Sequence, residues 1–184
     1  MTSNTRILMS WMLLLTCGFP PCLAQSVQNR TAYCDDGGPG AFPLDADSLP
    51  KAVVDSVLNA NESKQVLAEL GQTGTEISPE KLLRGARIDL STDGTTEFLV
   101  VGSAPLSAAD ASWFWIVRND RVRASILFWA AGNCIQAKGS KTRGYRDIEA
   151  LWASAGSERT KTYHYDGKAY RLARSQMQDR GHND

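Results

Sequence analysis

The sequence predicts an α+β fold, in which short N-terminal helices precede a mainly antiparallel sheet of about six or seven strands with meander or hairpin connections. Apolar residues recur at helical spacing over 48–70, and from residue 87 onward they alternate with polar residues instead. Two dipeptides, Asn119-Asp120 and Asp166-Gly167, are turn signals between alternating segments and favour β-hairpins. These observations together indicate helices followed by a hairpin-rich sheet.

Residues 1–24 have the pattern of a secretory signal peptide, with Arg6 before an apolar run and small residues before a cleavage site after Ala24. Lipidation of Cys17 is the alternative. We therefore expect a periplasmic or secreted protein with no membrane span after cleavage. The expected organisation is a cleaved signal peptide, an irregular arm, a single globular domain and a flexible tail, over residues 1–24, 25–47, 48–174 and 175–184.

The helices are predicted from capping residues and apolar stripes. Ser48 or Asp47 can cap a first helix, whose stripe includes Val53 and Val57. Asn61 begins a second helix that ends near Gly71, where glycine favours termination. A third helix of one or two turns is predicted to start at Ser78-Pro79-Glu80 and to end at Gly85.

The strands are predicted from two-residue alternation. In the hairpin around Asn119-Asp120 we expect Trp115 to lie opposite Ala124, and in the hairpin around Asp166-Gly167 we expect Tyr163 opposite Tyr170. The predicted strands are Arg87–Leu90, Thr96–Val101, Ser112–Arg118, Arg121–Ala131, Asp147–Ala153, Arg159–Tyr165 and Lys168–Ala173.

Charge and cysteine content restrict the class of protein. The chain has 20 basic and 20 acidic residues, a balance that argues against nucleic acid as a partner. Cys34 and Cys134 remain after the predicted cleavage, and two cysteines in an oxidising compartment commonly pair. A disulfide that closes a loop of about 100 residues stabilises a fold by about 4–5 kcal/mol in the chain-entropy model.

Residues 89–97 place oxygen-bearing side chains at alternate positions around a glycine turn, which is how a short loop binds calcium. The candidate ligands are Asp89, Ser91, Asp93 and Glu97. Residues 87–101 resemble the D-x-N-x-D-G-x-x-E strand–loop–strand of FG-GAP and VCBS-type repeats, with serine in place of the usual asparagine. This resemblance implies a calcium-holding loop in a secreted or cell-surface binding module. The alternative is a plain turn whose acidic side chains are solvated.

Two further segments, 144–148 and 163–171, are similar to segments of small exported bacterial proteins of unassigned role, a resemblance that implies no activity. Catalytic arrangements are sparse, so we expect a protein that is not an enzyme. A hydrolase would have to use His164 as its base, or Asp147 and Glu149 as paired acids on one strand face. Such alternating acids are typical of the solvated face of a sheet.

Two features predict a binding surface. Trp129 is expected on the face opposite Ile126, where a partly exposed tryptophan can anchor a partner. A basic loop with a central tyrosine could bind an acidic surface, and its residues are Lys138, Lys141, Arg143, Tyr145 and Arg146. The sequence therefore predicts an exported, non-enzymatic protein that binds another protein, such as an inhibitor or immunity protein for a cell-wall hydrolase. The alternative is a calcium-stabilised module that binds glycan or matrix.

Overall fold

The computed structural model of the chain describes residues 32–34, 49–72, 78–91, 93–108, 111–120, 122–154 and 156–179. The predicted signal peptide, its cleavage site and Cys17 lie outside the described residues. So does the predicted N-terminal arm, except for residues 32–34. None of the helices in the described ranges combines the length and apolarity needed to cross a bilayer.

The described chain forms short helices and mostly strands. The helices are α1 (Lys51–Leu58) and α2 (Asn61–Gln72), followed by a single 3₁₀ turn at Pro79–Leu82. The strands are β1 (Ala32–Cys34), β2 (Leu83–Ile88), β3 (Thr96–Gly102), β4 (Ser107–Ala108), β5 (Ala111–Asn119), β6 (Ala124–Gly132), β7 (Cys134–Thr142), β8 (Tyr145–Ser154), β9 (Ser157–Tyr165) and β10 (Tyr170–Asp179).

The strands form two antiparallel sheets, which we call the inner and the outer sheet. The outer sheet has the order β1-β7-β8-β9-β10. In the inner sheet β2, β3, β5 and β6 lie side by side, and the two-residue β4 pairs with the start of β5. The predicted α+β class, with one sheet of six or seven strands, is therefore wrong, and the fold is mainly β. The error arose because several strands carry polar side chains on a solvent-facing side and lack an apolar pattern.

The inner sheet is buried on both faces. One face, with Leu99 and Phe114, packs against the outer sheet in a core that includes Ile148 and Tyr165. The opposite face carries a second core, in which side chains of the inner sheet pack against the valines of α1, namely Val53, Val54 and Val57. The order of layers is therefore helices, inner sheet, outer sheet. The first two helices lie where they were predicted, but the N-cap of α1 is Pro50, which makes no side-chain cap hydrogen bond, and not Ser48 or Asp47.

The hairpin between β5 and β6 differs from the prediction in turn and register. Asn119 pairs with Ala124, so Asn119 belongs to the paired strand and the predicted two-residue turn Asn119-Asp120 does not form. Trp115 pairs with Trp129 and not with Ala124. The pairing shifts between Ile116 and its neighbour Val117, where β6 contains one extra residue. Such a bulge reverses which residues of a strand face each side, and alternation alone does not reveal it.

The region of the predicted basic loop is a hairpin formed by β7 and β8. Its turn residues, Arg143 and Gly144, have φ angles of 52° and 84°. Two-residue hairpin turns favour positive φ at both central positions, because the backbone twist of such a turn matches the twist of the two strands that it connects. The predicted loop between residues 132 and 147 is therefore wrong, and the residues form two paired strands.

The last hairpin extends further than predicted. Tyr165, not Tyr163, pairs with Tyr170, so four residues connect β9 to β10 instead of two. β10 continues to Asp179, which places residues 175–179 of the expected flexible tail in a strand paired with β9. At the opposite edge of the outer sheet, where β1 pairs with β7, Cys34 and Cys134 form the predicted disulfide.

Candidate functional site

A polar cluster joins the two sheets at one end of the sandwich, and we call it the clasp. Its members are Asp93, in the loop before β3, Glu97 on β3, Arg118 on β5, Tyr145 on β8 and Tyr165 on β9. The Tyr145 hydroxyl lies 3.0 Å from Asp93 Oδ2 and 3.2 Å from Glu97 Oε1. Arg118 Nη2 donates to both tyrosine hydroxyls, with Tyr165 at 2.9 Å. The clasp therefore connects side chains of the inner sheet with side chains of the outer sheet.

Short hydrogen bonds order the acidic half of the clasp. Asp93 Oδ1 accepts from the Ser91 hydroxyl and from the backbone N–H of Thr95 at 2.9 Å. The Thr95 hydroxyl lies 2.6 Å from both Asp93 Oδ1 and Glu97 Oε1. Because each hydroxyl has one hydrogen, Thr95 and Tyr145 each donate to one carboxylate at a time.

The two carboxylates of the clasp have opposite electrostatic environments. Glu97 is fully buried, and its burial raises the pKa of this carboxyl; the nearby charge of Asp93 acts in the same direction. Among the described residues, Glu97 Oε2 has no hydrogen-bond partner. Partial burial acts to raise the pKa of Asp93, but hydrogen bonds from Ser91, Thr95 and Tyr145 outweigh it and lower that pKa.

The clasp contains two of the four predicted calcium ligands, and a third, Ser91, donates a hydrogen bond to it. Ser91, Asp93 and Glu97 lie together, whereas Asp89 is exposed just after β2. Ser91 Oγ, both carboxylate oxygens of Asp93 and Glu97 Oε1 are engaged in hydrogen bonds with hydroxyl groups or with each other. Arg118 places a positive charge 4.0 Å from Glu97 Oε1. Within the described ranges no group of three or more His, Cys, Asp or Glu side chains could hold a metal ion. Sequence reasoning missed Arg118, although it is a single charged residue at the end of the apolar β5.

The structure does not bring the predicted basic residues together as one surface. Lys138 lies 3.2 Å from Glu149 in an ion pair, and Tyr145 is buried in the clasp. Arg146 donates to the backbone carbonyls of residues 137 and 138. Lys141 and Arg143 are exposed near the turn between β7 and β8.

Trp129 is 44% exposed, as an anchor residue would be, but it lies on a different face from the one predicted. Its ring meets the edge of Trp113 with 5.9 Å between centroids, on the side of the inner sheet that faces the helices. Ile126 packs against that same core, so the two residues share a face. The bulge in β6 is the physical reason, because it reverses the alternation between Ile126 and Trp129.

Of the residues predicted for a hydrolase, the structure brings His164 close to Asp147, whereas Glu149 pairs with a lysine. His164 Nε2 lies 3.8 Å from Asp147 Oδ2, and Thr142 donates to the other oxygen of this buried carboxylate at 2.7 Å. Glu149 is engaged by Lys138. The Thr142 hydroxyl bonds to the acid and not to the imidazole, so this geometry lacks the nucleophile–base hydrogen bond of an activated hydroxyl.

A second surface, which sequence reasoning missed, lies at the opposite end of the outer sheet. Trp152, Arg159 and Met177 pair side by side across β8, β9 and β10. Together with Ser154 and Ser157 they line an open cavity of about 330 Å³. We call these five residues the overhang. Trp152 is 37% exposed and Met177 is 62% exposed.

The overhang continues the face of the outer sheet that elsewhere forms the core. Ile148 and Ala150 on β8 are buried against the inner sheet, and two-residue alternation puts Trp152 on the same side. This part of the face is left exposed. The available signal was the tryptophan itself, but its partner Met177 lies in the segment predicted to be a flexible tail.

Comparison with protein-family models, with curated proteins and with solved structures finds no match to this chain. The resemblance of residues 87–101 to FG-GAP and VCBS-type repeats therefore stays a prediction. The disulfide between Cys34 and Cys134 is compatible with an oxidising, extracellular compartment.

Proposed function

We propose that this chain is an exported, non-enzymatic binding protein that holds a protein partner on the overhang. The observation that carries the proposal is the row of Trp152, Arg159 and Met177 on a sheet face that is exposed at its end. Tryptophan, methionine and arginine are the residue types enriched at protein interfaces. An inhibitor or immunity protein for a cell-wall hydrolase is the specific form we favour, since export and a disulfide suit the cell envelope.

The rigidity of the surface supports this function. β8, β9 and β10 pair in continuous register around Trp152, Arg159 and Met177, so the side chains of the overhang project from an ordered sheet. A preformed surface loses little conformational entropy on binding, which favours affinity. A large aromatic side chain beside a cavity is also the usual arrangement of an interface hot spot.

Affinity capture tests the proposal. The predicted mature chain, residues 25–184, would be immobilised and exposed to envelope and secreted fractions of its source organism, and bound proteins identified by mass spectrometry. The purified partner would then be titrated by calorimetry. We expect Trp152→Ala to weaken binding by at least about tenfold, as for a hot-spot residue. Val122→Ala, at a residue 92% exposed in the turn before β6, is the matched control and should bind like wild type.

The same titration tests the surface predicted from the sequence. Trp129→Ala and Arg143→Glu alter that surface and leave the overhang intact. A large loss of affinity in these variants, with none in Trp152→Ala, would assign binding to the sequence-predicted residues and refute the overhang. If no protein is captured from either fraction, the proposed function is wrong.

One observation favours a second candidate, a calcium-stabilised module that binds glycan or matrix. Glu97 Oε2 is buried without a hydrogen-bond partner among the described residues, and Asp93 lies beside the same carboxyl. A ligand that binds only the native state raises its melting temperature. Calcium should then raise the melting temperature of wild type but not of Asp93→Ala, whereas no shift in either protein would exclude this candidate.

A further inference from the structure

The overhang and the residue next to it on β9 carry two cations on one face of the outer sheet. Arg159 pairs with Trp152 on one side and with Met177 on the other. Lys161, two residues further along β9, therefore projects from the same face, about 7 Å away along the strand. Its neighbours in the adjacent strands are Ala150 and Ser175, both uncharged.

The acidic residues of these strands lie mainly on the opposite side. Glu149 and Glu158 alternate with the residues of the overhang and so face away from it. Asp179, in the row beyond Met177, is the acid on this face. Within the described part of the chain, neither Arg159 nor Lys161 takes part in an ion pair. The face is therefore positive beside an exposed apolar pair.

We infer that the overhang binds an acidic protein segment, whose carboxylates pair with Arg159 and Lys161 while an apolar side chain packs on Trp152 and Met177. This inference rests on the proposed function and adds the chemistry of the partner. The planar guanidinium of arginine can donate two parallel hydrogen bonds to one carboxylate. Arg159 is therefore suited to bind an acidic side chain of the partner in a defined orientation. The cavity beside Trp152 gives the apolar side chain a place to be buried.

Defined peptides test the chemistry without the natural partner. The acidic probe is a ten-residue peptide that alternates glutamate with phenylalanine and leucine, and the control probe has lysine in place of glutamate. Binding would be followed by NMR at the indole N–H of Trp152 in ¹⁵N-labelled residues 25–184. We expect the acidic peptide to shift this signal and the lysine peptide to leave it unchanged.

Charge reversal gives the sharpest result. Arg159→Glu, at an exposed position, should weaken binding of the acidic peptide at least about tenfold and should increase binding of the lysine peptide. Trp152→Ala should weaken binding of the acidic peptide, which calorimetry measures because this variant lacks the indole reporter. The affinity of wild type for the acidic peptide should fall as salt rises from about 0.1 M to about 1 M, because the Debye length shrinks from about 10 Å to about 3 Å.

Other outcomes identify other occupants and overturn the inference. Equal binding of both peptides by wild type would mean that charge is not recognised. A heparin fragment that displaces the acidic peptide, or binds more tightly, would indicate an anionic glycan. Concentration-dependent dimerisation in sedimentation, lost in Trp152→Ala, would indicate a second copy of this chain.

The failure of this inference is distinguishable from the failure of the proposed function. If a captured partner depends on Trp152 but is insensitive to Arg159→Glu and to salt, the partner is not acidic and the binding function stands. If binding of the partner is insensitive to Trp152→Ala as well, the overhang is not the binding surface, and both this inference and the proposed function are wrong.

Discussion

The clasp should contribute measurably to stability, and Tyr145→Phe isolates its hydroxyl group. The substitution keeps the buried ring, which stacks on Tyr165 with 4.2 Å between centroids. It removes a donor that lies 3.0 Å from Asp93 Oδ2 and an acceptor for Arg118. Hydrogen bonds to charged groups contribute about 1.5–3 kcal/mol each. Because Arg118 keeps its bond to Tyr165, we expect a net loss of about 2–4 kcal/mol in the free energy of unfolding.

Thermal and urea unfolding measure this loss directly. For a chain of this length the expected change corresponds to a fall of about 5–15 °C in melting temperature. Tyr163→Phe is the matched control, because it removes the hydroxyl of a half-buried tyrosine outside the clasp. We expect that control to stay within about 0.5 kcal/mol of wild type. If Tyr145→Phe is no less stable than Tyr163→Phe, the clasp does not hold the two sheets together.

Four further predictions concern stability. Because burial raises the pKa of Glu97 above the ordinary 4.5, wild-type stability should fall as pH rises from that value through the raised one. Glu97→Gln should remove this fall in urea titrations carried out from pH 4.5 upward. Asp93 contributes stability with the opposite pH dependence, because hydrogen bonds hold the pKa of Asp93 below its ordinary value. Asp93→Asn should therefore lower the free energy of unfolding at pH values where the carboxyl is ionised. An unchanged urea midpoint at pH 7 would contradict this. Replacing Cys34 and Cys134 by serine should cost about 4–5 kcal/mol, and a melting temperature that does not respond to the replacement would show that the disulfide does not constrain the unfolded chain. Gly102→Ala should destabilise by about 1–3 kcal/mol or more in the same assay, since its Cβ would lie 1.8 Å from the backbone oxygen of residue 106, and wild-type stability would refute that close approach.

The elements that were predictable from the sequence have a buried apolar stripe or a local cap. α1 was found because Val53 and Val57 recur on one face, and β3 because its residues are almost all apolar. The disulfide followed from the cysteine count. β7 was missed, since only Ile135 and Ala137 on its inward side are buried and the rest of the strand is polar.

The less predictable features depend on long-range pairing. β10 is exposed from Arg171 to Asp179, so its order comes from hydrogen bonds to β9 and leaves no apolar pattern in the sequence. The bulge in β6 placed Trp129 on the helix side of the inner sheet, against the alternation. Two residues of the clasp, Asp93 and Glu97, were visible as part of a calcium-like motif, but Arg118 and Tyr165 join it only through the sheet topology.

The location of binding is the central claim, and hydrogen–deuterium exchange of the complex with the captured partner tests it most directly. We expect added protection in β8, β9 and β10 around Trp152, Arg159 and Met177, and none at the turn between β7 and β8. Protection confined to the region of Trp129 or to residues 141–146, with no change in β8–β10 near the overhang, would contradict the account.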